Sequence, residues 1–410
     1  MFDTPLVRED NTPVHMITPS GIEHPSTLQS TVGPARLPPP VLVDSPRAFG
    51  EMIAALSSQP LLALDTESDS LYRYFFKVGL VQISTPTTDY LADPLRLPDL
   101  TPLGDILADP AVEKVFHAAE NDILMLKRDF SFRFANVFDT MLAARILGWK
   151  QVSLAALLAQ HFGVTLDKRA QLTDWGHRPL DAAQLSYARL DTHYLLPLRD
   201  LLIAELRQRR RWREAQDAFT GLPQITYVEK PFDPDGFWRI KGARDLRGSA
   251  LAVLRQLYMW RDEQARKLDR PPFKVLGDDR LVEMSQGQPA RLADLPLSTR
   301  QIELFGRSLV AAIAAGRNDP IPSLPPRPSN GNGRPTPEAL ARFDQLRAWR
   351  VRRAADRAVD ADLILNNDAL MTIARAAPAT FEALAALGVM GAWKLEEYGP
   401  DLLRVIETGA

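Results

Sequence analysis

The sequence predicts a mixed α/β domain, a sheet flanked by helices, followed by two small all-α helical-bundle domains. Three observations carry this. Short apolar runs suited to strands come early, at 61–67, 78–84 and 88–92, and strands and helices alternate after them. From residue 243 onward the chain reads as helical, apart from one break rich in Pro, Gly and Asn. The segments on either side of that break superpose at a constant shift of 89 residues.

Taken in order, residues 1–40 are rich in Pro, Thr and Ser and end in Leu37-Pro38-Pro39-Pro40, which reads as a disordered arm. Order begins at Val41-Leu42-Val43. Ser45 offers a helix cap and Pro46 a first helical residue, ahead of Phe49, Met52, Ile53 and Leu56 at helical spacing. The strand 61–67 turns acidic at its end. Strands follow at 78–84 and 88–92, and Lys114-Val115-Phe116-His117 is a buried-type strand leading into a helix over 120–127. A strand at 137–138 precedes helices over 141–147, 154–162 and 182–202. The first domain is thus 41–220. Residues 221–242 hold Gly, Pro and aromatics without a period and suit a linker. Helical domains follow at 243–320 and 337–410, joined by a flexible linker over 321–336 that contains Pro325-Pro326-Arg327-Pro328.

The internal repeat is specific in its residues. The shift places Trp260 on Trp349, Arg261 on Arg350, Leu276 on Leu365, Asp279 on Asp368, Leu281 on Leu370 and Leu295 on Leu384. Two copies of one helical domain are the simplest reading.

Bulk properties exclude several classes. A net charge of −2 means that any nucleic acid is met by local basic patches, not by the whole surface. The absence of cysteine rules out disulfides, thiolate metal sites and cysteine nucleophiles, and is compatible with a reducing cytoplasm. No apolar run approaches the ~20 residues of a membrane span. The N-terminus lacks the basic start and apolar stretch of a secretion signal, so a cytoplasmic location is expected.

Chemistry gathers on acids. In Asp65-Thr66-Glu67 a two-residue spacing on a strand points both carboxylates to one face. Two like charges at a core edge call for a cation between them. Asp122 sits in the first turn of a helix after the strand ending at His117, where the helix dipole alone would suit it. Tyr187 and Asp191 lie four apart on one helix face that continues through Tyr194, Leu195 and Leu198. An unpaired charge there costs several kcal/mol and demands a partner.

The order Asp-x-Glu, then Asp, then Tyr-x-x-x-Asp resembles the DEDD exonuclease superfamily, tyrosine subclass, with its ribonuclease-H-like sheet. Leu64-Asp65-Thr66-Glu67, Leu80-Val81-Gln82-Ile83, Phe116-His117-Ala118, Phe138-Asp139-Thr140, Trp175-Gly176-His177-Arg178-Pro179-Leu180 and Tyr187-Ala188 look like the ribonuclease D family. Leu254, Trp260, Arg261, Arg270-Pro271-Pro272 and Asp278-Asp279-Arg280-Leu281 resemble the HRDC domain. The second copy departs from it, with Asp360 and Ala361 in place of the proline pair.

The resemblance implies 3′→5′ hydrolysis of RNA with release of nucleoside 5′-monophosphates. It implies two divalent cations (Mg²⁺ or Mn²⁺) held by Asp65, Glu67, Asp122 and Asp191, with Tyr187 positioning the attacking water. Substrate contacts are expected from Thr66, His117, Gln82, Trp175 and Arg178, although His117 and Trp175 also suit a core. Gln82 and Asp139 either line the site or orient its ligands. The implied partner is RNA, in particular tRNA precursors with 3′ extensions, bound by a monomer. Arg207, Arg209, Arg210, Arg211 and Arg213, with Arg255, Arg261, Arg266, Lys267, Arg270 and Lys274 in the first repeat and Arg347, Arg350, Arg352, Arg353 and Arg357 in the second, are either solvated helix faces or phosphate contacts. A DNA-directed exonuclease of the same fold and a catalytically silent RNA-binding module are the alternatives.

Overall fold

The computed structural model describes residues 37–324 and 335–408. Residues 1–36 of the expected arm and 325–334 of the expected second linker lie outside the described residues.

β1 (Val41–Val43) leads into α1 (Pro46–Leu56), where Ser45 accepts from the Ala48 N–H and Pro46 opens the helix as the cap signal predicts. β2 (Leu61–Ser68), β3 (Val78–Ser84) and β4 (Asp89–Ala92) follow. Next come α2 (Thr101–Ala108), β5 (Glu113–Phe116), α3 (Glu120–Phe130) and β6 (Val137–Asp139). The six strands form one sheet in the order β1-β4-β3-β2-β5-β6. Only β3 runs against its neighbours; every other pairing is parallel. Covered on both faces, β3 is buried at all seven residues, which is why its sequence, apolar but for Gln82 and Ser84, lacks a regular alternation of polar and apolar positions.

One irregularity in pairing makes room for the site. β2 pairs with β3 over Ala63–Ser68 but with β5 only over Leu61–Ala63. The acidic half of β2 therefore has an open edge beyond Ala63, and the first turn of α3 stands there.

α4 (Thr140–Ile146), α5 (Leu154–Phe162), α6 (Ala182–His193), α7 (Leu195–Gln208) and α8 (Trp212–Thr220) complete the first domain. The helix expected over 182–202 is two helices. Pro197 has no N–H to offer the His193 carbonyl and its ring crowds that oxygen, so α6 ends there. α2 and α8 are not foreseen by the sequence pattern.

The expected linker 221–242 has no α-helix or strand and is mostly exposed over 226–233, and it is anchored on either side. Leu222 and Ile225 pack on the first core, and Lys127 Nζ donates to the Pro223 and Ile225 carbonyls at 2.7 Å each. The 3₁₀ turn Pro234–Arg239 delivers Phe237, fully buried, into the core of the next domain, and Ile240 follows it. Apolar residues supplied singly from 3₁₀ turns leave no period to detect.

The first helical domain comprises α9 (Ser249–Leu268), α10 (Pro272–Val275), α11 (Asp278–Gly287) and α12 (Thr299–Asn318). The second comprises α13 (Pro337–Arg357), α14 (Ala361–Ile364), α15 (Asn367–Ala376), α16 (Phe381–Ala385) and α17 (Ala392–Thr408). The repeat is physical as well as textual. Arg261 Nη1 donates to the Leu276 carbonyl at 3.0 Å, and Arg350 Nη1 to the Leu365 carbonyl at 2.8 Å. The left-handed residues that end the helices also repeat, Asp269 with Ala358 and Gln288 with Ala377.

Both copies meet the exonuclease-like domain with the same corner, the end of their first long helix. In the first copy the Asp269 carboxylate accepts from the Tyr74 and Phe75 N–H groups at 3.1 and 3.0 Å, and Tyr74 donates its hydroxyl to Asp262 at 2.8 Å. In the second, Arg211 donates to the Arg357 carbonyl at 2.6 Å, Arg357 pairs with Glu214, and Arg145 bridges to Asp362 at 2.7 Å. Leu363 completes the apolar core beneath α4 and α8. Gly148, at φ +77°, is required here because a Cβ would collide with the Ala358 carbonyl. Among the described residues no helix is long and apolar enough to cross a membrane.

Candidate active site

β2 carries Asp65 and Glu67 on one face, and the pairing with β3 shifts register between Glu67 and Ser68, just past the pair. α6 brings Tyr187 and Asp191. Its start is set by a capping box in which Asp181 accepts from Gln184 N and the Gln184 side chain returns to the Asp181 N–H. One carboxylate oxygen from each of Asp65, Glu67 and Asp191 lies within 4.8 Å of the others. The Tyr187 hydroxyl stands beside Asp191.

Asp122 enters across the open edge of β2 and takes the Thr66 hydroxyl at 2.5 Å. It stands beside Asp65 but outside the close trio, with one oxygen bonded to Thr66. The four expected acids thus arrange as three converging groups and a tethered fourth. Thr66 itself is 8% exposed and serves Asp122.

The electrostatics are those of a cation site. Burial, followed by Asp122, Asp191 and Glu67, pushes the Asp65 carboxyl well above its ordinary range. Burial, then Asp191 and Asp122, raises Glu67 to about 9. Burial raises Asp122 and Asp191 to about 7 each, against hydrogen bonds from Thr66 and Tyr187 that pull them down. Asp191 Oδ2 is buried without a hydrogen-bond partner. The nearby arginines are committed elsewhere, Arg189 to Asp89 at 2.7 Å and Arg178 to Asp93 at 2.5 Å. Crowded, dry carboxylate oxygens without a basic partner are the donor set of a hard divalent cation.

That reading fixes a sign. Without metal these carboxyls keep their protons to higher pH in the folded than in the unfolded chain, so the folded state binds more protons between the ordinary carboxylate range and about pH 9. Stability in EDTA should therefore fall as pH rises through that window. Saturating Mg²⁺ or Mn²⁺ should flatten the fall, with Tm separated by on the order of 5 °C at the alkaline end. Scanning calorimetry across pH checks it, and superimposable curves with and without metal would argue against these acids as ligands.

A cleft of about 400 Å³ opens over the trio. It is lined by Asp65, Thr66, Glu67, His117, Ala118, Tyr187 and Asp191, and also by Met141, Ser153, Leu154, Ala155, Leu166, Lys168 and Gln171. His117 bonds Thr140 Oγ1 through Nδ1 at 2.9 Å, and burial lowers its pKa to about 4, so a neutral imidazole faces the cleft.

Three expected substrate contacts do not reach it. Gln82 sits opposite Asp65 in register on the central strand and is wholly buried. Trp175 is 1% exposed and packs with Leu80, Leu91 and Ala188 behind Tyr187. Arg178 braces the sheet through Asp93 and the Gly79 carbonyl at 2.6 Å. Trp175 packs and Arg178 braces, whereas both polar atoms of the Gln82 amide are buried without a hydrogen-bond partner. Asp139 orients without lining: it accepts from Ala118, Ala119, Met141 and Leu142 N–H groups, fixing the turn that presents His117.

Conversely, the sequence pattern gave no hint of Lys168 or Gln171, which lie in an aperiodic stretch between α5 and α6. The one local signal is Asp167, whose side chain caps the short 3₁₀ helix Lys168–Leu172.

Comparison with known proteins agrees with this geometry. Residues 40–207 match a 3′-5′ exonuclease family, and residues 250–313 and 339–406 each match the HRDC domain. The chain is 30% identical over 380 residues to Ribonuclease D of Acidiphilium cryptum (strain JF-5), covering 90% of this chain and 93% of that protein. It is 31% identical over 367 residues to Ribonuclease D of Jannaschia sp. (strain CCS1), covering 86% and 92%. The crystal structure of Escherichia coli RNase D, described as an exoribonuclease involved in structured RNA processing, superposes with a TM-score of 0.61 at 25% identity, over 90% of this chain and 98% of that one. The catalytic core of RRP6 from Trypanosoma brucei gives 0.63 at 28% identity, over 68% and 79%. Identity of 30% or more over nearly the whole length of these relatives, with the acidic cleft inside the matched exonuclease segment, establishes that the chain belongs to the ribonuclease D family of 3′→5′ exoribonucleases.

Proposed function

We propose that this exoribonuclease cleaves by a two-metal-ion mechanism in the cleft over Asp65, Glu67 and Asp191, and that its substrates are tRNA precursors with 3′ extensions. The convergence of three carboxylates within 4.8 Å, Asp191 buried and Asp65 and Glu67 half-buried, with no basic partner, carries the first part. When bound, two divalent cations supply an activated water and charge neutralisation on the phosphate and the leaving 3′-oxygen.

The chain's own residues do the rest. Asp65, Glu67 and Asp191 hold the ions, and Asp122, steadied by Thr66, completes the negative set. Burial and the surrounding acids push the Tyr187 hydroxyl above its ordinary value, so it keeps its proton and acts as a donor that orients water and phosphate. His117 adds a neutral wall. Ionised imidazole there would compete with the cations for the same acids.

The tRNA reading draws on the whole-length relatives and on the two HRDC domains, whose surface arginines offer phosphate contacts outside the cleft. Incubating the protein with a 3′-tailed tRNA-like RNA and a matched DNA, in Mg²⁺, Mn²⁺ or EDTA, tests both parts. The expected result is stepwise shortening of the RNA tail to nucleoside 5′-monophosphates, dependent on metal and stopping near the tRNA body. Preference for DNA would overturn the substrate assignment, and cleavage in EDTA would overturn the mechanism.

A further inference from the structure

The acids explain how the cleft holds cations, but a polyanionic RNA strand must also be held beside four carboxylates that repel it. One charged group in the lining has the required sign. Lys168 is exposed and lines the same cleft as Asp65, Glu67 and Asp191. It makes no ion pair or hydrogen bond among the described residues. Its neighbour Asp167, the obvious partner, is held by Arg169 at 2.5 Å.

Local geometry adds a second group. Lys168 and Gln171 stand three apart in a 3₁₀ helix, where three residues make one turn and side chains at that spacing eclipse each other. Both therefore face one way, and both line the cleft.

This short helix is braced from outside. Tyr72 donates its hydroxyl to the Leu172 carbonyl at 2.8 Å. The Tyr72 ring in turn lies 3.4 Å under the ammonium of Lys274 from the first helical domain.

We infer that Lys168 is a substrate-binding residue whose ammonium takes a phosphate oxygen of the RNA backbone at the 3′ end, with the Gln171 amide hydrogen-bonding the same strand. The contact is made to the bound strand before reaction as well as during it, so it acts on affinity more than on turnover. A lysine is a point charge without the bidentate fork of arginine, which suits a strand that advances one nucleotide per cycle. The inference rests on cleavage occurring in this cleft.

The test uses the full-length protein and a short single-stranded RNA oligonucleotide. Lys168→Ala should raise KM about tenfold with kcat changed less than threefold, and Lys168→Arg should recover most of the loss. The slope of log KM against log salt should become shallower by about 0.7, the contribution of one phosphate contact on a single strand. Gln171→Ala should raise KM severalfold and leave the salt slope alone. Binding measured by fluorescence anisotropy on the Asp65→Asn background should weaken to the same extent with Lys168→Ala, a readout independent of turnover. Wild-type KM and salt slope in Lys168→Ala would overturn the inference while leaving the nuclease reading intact. A kcat loss with unchanged KM would also overturn it. A wild-type protein inert on RNA would instead remove the reading on which it rests.

Discussion

Asp65→Asn should lower turnover by at least about a thousandfold while leaving the metal-free protein as stable as the parent or more so. Two unit charges about 4 Å apart interact by about 4 kcal/mol at an effective dielectric of 20, and each 1.4 kcal/mol is a decade in rate. Asp65 is half-buried and crowded by Asp122, Asp191 and Glu67, so an amide there removes attraction for bound cations and also removes repulsion among the acids. Activity and stability therefore move in opposite directions, which distinguishes a ligand from a residue needed for folding. Single-turnover kinetics with Mg²⁺ and thermal unfolding in EDTA measure both. Retained turnover would point to another site or a contaminant. A Tm several degrees below the parent in EDTA would show that Asp65 holds the fold together instead.

Arg357→Ala should detach the second helical domain. The guanidinium pairs with Glu214, whose side chain is 3% exposed, and lies 5.1 Å from the Trp393 ring centre. Burial already raises the Glu214 carboxyl above its ordinary value, opposed by Arg357, Arg211 and Lys394. Removing one partner of a buried pair costs about 3–5 kcal/mol. Arg211 and Lys394 stay near Glu214, so a loss of about 2–3 kcal/mol is expected. It should be seen as an early unfolding transition and faster proteolysis after α13. The Glu214→Gln, Arg357→Met pair should recover part of the loss, because no buried charge is then left alone. Hydrolysis of a short oligonucleotide should be unaffected, since the cleft residues lie in the first domain. A single transition at the parental temperature would show that Leu363 and the Arg145 bridge suffice for docking.

Much of the molecule was legible because local rules governed it. The cap at Ser45-Pro46, the largely apolar β3 and the same-face spacing of Asp65 and Glu67 follow from periodicity and capping alone. The repeat was legible because a buried arginine bonding a carbonyl fifteen residues on constrains both copies alike. What failed was of another kind. Trp175, Gln82 and Arg178 looked like site residues by type, yet burial and bracing decide their roles, and burial is a property of neighbours distant in sequence. The segment 221–242 looked like a linker because its anchors, Leu222, Ile225, Phe237 and Ile240, are spread without a period over three different cores.

By itself the sequence determined the fold class, the order of domains and which side chains share a face, Asp65 with Glu67 and Tyr187 with Asp191, since strand and helix periods dictate it. Only the tertiary structure decided that three acids converge while Asp122 is tied to Thr66, that both helical domains dock by one corner, and that Lys168 lines the same cleft as the acids. The reason is physical. Those relations depend on where β2 parts from β5 and on where a 3₁₀ turn is pinned by Tyr72, contacts between residues tens to hundreds of positions apart that no local pattern encodes.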